Sequence, residues 1–181
     1  MKALNIYRII SYIMTVLFII GIICTITTAT LFTAITIDPS IIPNEPGDYR
    51  LSIGVLQFHI ADTMIAKPAL MMYPLVLVFP TFIFWNFRVL FKNLAARKLF
   101  VHSNTKSIFG MGFVLLIASF INSIPDLLVA KKIISSMHFK GRVETLYTVN
   151  TSLLLASIFI ILLGFFFHKA VQIAQENELT I

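Results

Sequence analysis

Four stretches of this chain, about 9–37, 68–91, 108–130 and 148–168, stay apolar for the ~20 residues that an α-helix needs to cross the hydrocarbon core of a bilayer. A soluble domain carries about 25% charged residues. Here only 12% are charged and 58% are hydrophobic, with 17 phenylalanines and a mean hydropathy of +0.92. A soluble fold of 181 residues could not cover so many large apolar side chains without leaving sticky patches. The expected fold is an all-α integral membrane protein. It has four transmembrane helices in an antiparallel bundle and a larger first extracytoplasmic loop, forming one membrane domain over residues 1–181.

Orientation follows from the basic residues. Between the second and third runs, Asn86 to Gly112 carries Arg88, Lys92, Arg97, Lys98 and Lys106 and no acid. Cytoplasmic loops carry an excess of Lys and Arg, so 92–107 reads as a cytoplasmic loop. Lys2, Arg8 and Lys169 fall on the same side, while most of the acids fall in the outer loops 38–67 and 131–147. Both termini, with a tail over 169–181, are therefore expected in the cytoplasm, the membrane being the bacterial cytoplasmic membrane. The net charge of +6 is scattered between apolar runs, so topology explains it better than a DNA-binding face does, and no direct nucleic-acid contact is expected.

The first run is longer than the ~7–15-residue core of a signal peptide, which favours a tilted span over a cleaved leader. Its far end is crowded with threonines from Thr25 to Thr36, which can bond back to their own helix carbonyls. Cys24 lies inside this run; a lone cysteine excludes a disulfide framework and a cysteine-based zinc site, and it reads as a small packing residue. The first outer loop opens with proline and glycine turns, and RLSIGVLQFHIADTMIAK after it fits either a short hairpin or an interfacial amphipathic helix. Pro68 suits a helix start, Pro74 and Pro80 predict kinks, and Trp85 suits an interfacial anchor. In the third run, Asn122 and Asp126 are the candidate intramembrane polar residues. Asp126 lies ~27 Å along a helix from Ile108, which reads either as an interfacial or helix-capping acid or as a buried functional carboxylate.

Motifs for chemistry are absent. There is no GxxxxGK[ST], no GxGxxG, no GxSxG and no HExxH. His59, His102, His138 and His168 are widely spaced and read as isolated interfacial histidines. The midplanes are Leu, Ile, Val and Phe rather than the polar, broken helices of a transporter. No catalytic residue, metal site or cofactor is expected, and the chain does not read as an enzyme. The central loop could contact anionic lipid headgroups or dock a cytoplasmic protein, with QENEL in the tail available to pair with it.

Two segments, LAARKLFVHSNTKSIFGMGFVLL and FFFHKAVQIAQENELTI, resemble the YoaS-like proteins, small bacterial membrane proteins of unknown function. Glu176, Asn177, Glu178, Leu179, Thr180 and Ile181 match the ENDLTI-like end of that family, with Glu178 where Asp is frequent. Phe100 and Asn104 fit its loop, although the later basic pair is reduced to Lys106. The likeness covers the C-terminal half well and the N-terminal half by hydropathy. It implies four spans and a gene neighbour that is a small helix-turn-helix regulator of the Xre type. Arg97, Lys98, Asn104, Glu176, Asn177 and Glu178 then become candidate partner-binding residues, beside the lipid bilayer itself; self-association stays open. Three functions follow in order: a regulatory or sensory partner of such a regulator, an immunity-like or envelope-protective protein, and a small transporter or channel.

Overall fold

The computed structural model describes residues 2–38, 49–53, 56–60, 63–136 and 145–178. Among these described residues, five helices and one hairpin follow in order. They are α1 (Lys2–Ile37), β1 (Tyr49–Ile53), β2 (Leu56–Ile60), α2 (Thr63–Ala95), α3 (His102–Ile121), α4 (Ile124–Ser136) and α5 (Thr151–Glu178). Four stretches are long and apolar enough to cross a membrane: Asn5–Ala34, Pro74–Ala95, His102–Lys131 and Thr151–Asn177. Hydrocarbon offers the backbone no hydrogen-bond partner, so such stretches close their bonds within a helix. This is an all-α, multi-pass membrane protein.

The helices run past the apolar stretches. α2 begins at Thr63, so Pro68 lies inside it rather than at its start, and it stays one helix through Pro74 and Pro80. The third run is two helices in series. Pro125 has no N–H to give to Ile121 and its ring crowds that carbonyl, so α3 closes and the Asn122–Ser123 turn opens α4. α5 starts where Asn150 caps it, its side-chain Oδ1 accepting from the Leu153 N–H at 3.1 Å. The ambiguous segment after the proline turns opens as a hairpin: β1 and β2 pair antiparallel, with Tyr49 opposite Ile60 and Arg50 opposite His59. The proline-rich stretch 39–48, residues 137–144 with His138, and the last three residues lie outside the described residues.

Packing is serial. α1 packs along α2, α2 along α3 and α4, and α3 along α5. Each long pair is antiparallel. Phe18 meets Trp85 and Tyr7 meets Phe91 across α1 and α2, while Phe109 meets Phe165 edge-on across α3 and α5. Two glycines permit close approach. A Cβ on Gly112 would sit 2.6 Å from Ile161 Cγ1 and 3.2 Å from its backbone N, and one on Gly21 would sit 2.5 Å from Thr81 Oγ1. Several polar side chains within the spans are spent locally: Thr25, Thr27 and Thr28 donate to carbonyls three or four residues back, as do the buried Ser119 and Ser157. Cys24 is exposed on α1 rather than packed, because α1 leaves most of its circumference uncovered.

Candidate functional site

The α2–α3 turn is where the sequence concentrates charge, and it is much shorter than residues 92–107. α2 closes with two bonds of a Schellman cap: the Arg97 N–H donates to Leu94 O at 3.0 Å and the Lys98 N–H reaches back to Asn93 O at 2.9 Å. The cap needs a left-handed residue, and Arg97 supplies it with φ 61°, at a position where glycine is the usual choice. Among the described residues no other non-glycine has positive φ.

Asn104, in the first turn of α3, locks this geometry. It is 0% exposed. Its Nδ2 donates to Lys98 O at 3.0 Å and Leu99 O at 2.8 Å, and its Oδ1 accepts from Asn93 Nδ2 at 2.7 Å. One buried amide thus ties the end of α2, the turn and the start of α3 together. The N-cap of α3, Val101, is extended and has no side-chain cap, so the turn depends on Asn104 from inside. What projects is Arg97, Lys98, Leu99 and Phe100, all exposed, with Leu99 at 44% and Phe100 at 46%. Lys106 is exposed as well. Thr105 beside Asn104 is buried, and its hydroxyl finds no hydrogen-bond partner among the described residues.

α5 flanks the turn. Phe167 stacks on Phe100 with centroids 6.0 Å apart, and His168 meets His102 at 6.1 Å. The expectation of isolated histidines is therefore corrected for this pair, which antiparallel packing of α3 and α5 brings together. Gln172 Nε2 lies 3.2 Å from His168 Nε2, one turn along the same helix. Most of the tail is not a loose end but a continuation of α5 through Glu178. Glu176 and Asn177 are exposed on that extension, ~12 Å beyond His168; Glu178 is its last residue.

The two remaining candidates sit at the opposite end of α3. Asn122 caps α3, its N–H donating to Ala118 O at 2.9 Å. It also lines a small apolar cleft with Val76, Phe79 and Leu153. Asp126 is exposed in the first turn of α4, where a helix N-terminus favours a carboxylate. Neither meets the basic turn. Sequence reasoning overlooked Asn93 and the depth of Asn104; the signal was two asparagines bracketing a short basic segment.

No curated protein and no solved structure matches this chain. A family model described as "Protein of unknown function (DUF2975)" matches residues 46–181, taking in the hairpin, the basic turn and the α5 extension. That match spans most of the chain, and the protein belongs to this family.

Proposed function

We propose that this protein lies in the bacterial cytoplasmic membrane with both termini in the cytoplasm, and serves as a regulatory or sensory partner of a small cytoplasmic transcription regulator. The regulator docks on the Arg97–Phe100 knuckle and the end of α5. The observation that carries this reading is the strained, internally clamped turn. A loop that merely connected two spans would gain from glycine at position 97 and needs no buried amide to hold it. Strain of this kind persists where surrounding structure over-determines it, and it clusters at binding sites. Two exposed cations beside two exposed apolar side chains, already ordered, suit a protein partner, since pre-ordering lowers the cost of association. The likeness to the YoaS-like proteins supports a helix-turn-helix regulator as that partner, with DNA as the regulator's ligand.

The test is photo-crosslinking in intact cells from reactive residues placed at Lys98 and at Glu178. The expected result is capture of one small DNA-binding protein from both positions, with capture from the Glu178 probe lost on Arg97→Gln/Lys98→Gln substitution. Capture of lipid alone, or of further copies of this chain, would overturn the reading.

A further inference from the structure

A second cationic site lies away from the knuckle, between α1 and α2. Arg8, Ser11, Tyr12 and Thr15 recur at helical spacing on one face of α1. Opposite them on α2 are Arg88 and Lys92. Together they line a cleft of about 400 Å³ that contains three cations and no carboxylate. Arg88 is the deepest of the three. It lies within the apolar span of α2, level with Thr15, which is ~10 Å along α1 from Arg8. A guanidinium at membrane depth is costly unless it is paired.

Arg88 is held rather than loose. Its Nε donates to Thr15 Oγ1 at 3.1 Å, and that hydroxyl donates onward to Ser11 O at 2.7 Å. Its Cζ stands 4.9 Å from the Trp85 ring, and Trp85 in turn packs on Phe18. A guanidinium carries five N–H donors in a planar fork, so fixing Nε and one face leaves the rest for a ligand. Two arginines and a lysine around an acid-free cleft, with the Ser11 and Tyr12 hydroxyls beside them, match the oxygens of a phosphate group.

We propose that this cleft binds the phosphate of an anionic phospholipid. Arg8 and Arg88 hold the phosphate oxygens, Lys92 supplies a point charge, and the acyl chains lie along the exposed apolar surface of α1, which includes Ile9, Ile13 and Val16. A free phosphate could meet the same cations. The cleft's place at the end of two apolar spans favours the lipid.

The experiment is native mass spectrometry and thermal unfolding of the full chain in detergent, with phosphatidylglycerol, phosphatidylcholine or inorganic phosphate added. Phosphatidylglycerol is expected to stay bound and raise the unfolding midpoint. Arg8→Gln/Lys92→Gln is expected to weaken that binding at least tenfold, and Arg88→Lys to weaken it less than Arg88→Gln. Arg97→Gln/Lys98→Gln should leave it unchanged, which separates this site from the docking knuckle. Equal retention by the wild type and Arg8→Gln/Lys92→Gln would overturn the proposal. So would equal binding of phosphatidylcholine, or stabilisation by inorganic phosphate that matches that of the lipid.

Discussion

Arg97 holds a backbone conformation that costs an L-residue about 1–2 kcal/mol and that glycine adopts freely. Arg97→Gly is therefore expected to raise stability by about 0.5–1 kcal/mol once the larger entropy of an unfolded glycine is set against the relieved strain. Partner capture should fall at the same time. A lower unfolding midpoint in detergent would instead mean that the arginine side chain holds the turn. Asn104→Ala should act in the opposite sense. It removes three side-chain hydrogen bonds and strands the Asn93 amide, a loss of about 1–3 kcal/mol visible in the same thermal unfolding experiment. It should also loosen the knuckle and weaken docking without touching an exposed charge. At this scale the sequence was half legible. The charges of Arg97 and Lys98 are plain in the string of residues. That Asn104 faces inward is a consequence of where α3 begins, and no polar residue type announces it.

Among the elements, the close approach of α3 to α5 rests on Gly112. Any side chain there meets Ile161, including its backbone nitrogen, which cannot move aside as a flexible tip could. Gly112→Val is expected to cost about 1–3 kcal/mol through overpacking, whereas Phe113→Ala on the exposed face should change little. Equal unfolding midpoints for the two variants would contradict this packing. Hydropathy registers apolar composition and not the backbone ladder, so a helix and its apolar run need not end together. α2 runs on to Ala95 through Arg88 and Lys92, and α5 runs on through Gln172 and Glu176, since a helix continues through polar residues wherever no breaker intervenes. Pro125 is such a breaker, and there the single predicted run becomes α3 and α4.

For the whole molecule, helix order was not readable in advance. Every span presents similar Leu, Ile and Phe surfaces, so composition cannot say which neighbour each one takes. The serial arrangement follows from particular pairs: Gly21 with Thr81, Asn93 with Asn104, and Gly112 with Ile161. It puts the start of α1, the basic turn and the end of α5 at one end of the molecule. The segment before α5, with Tyr147 donating to Phe120 O, lies at the other. Orientation in the membrane then decides whether the knuckle meets cytoplasm at all.

That orientation is the measurement to make first. In a Cys24→Ser background, single cysteines at Lys98 and at Leu146, which is 83% exposed, would be exposed to a membrane-impermeant thiol reagent. The expected result is labelling of Leu146→Cys in intact cells and of Lys98→Cys only after the cells are opened. Labelling of Lys98→Cys in intact cells would place the basic turn outside and contradict the docking of any cytoplasmic partner there.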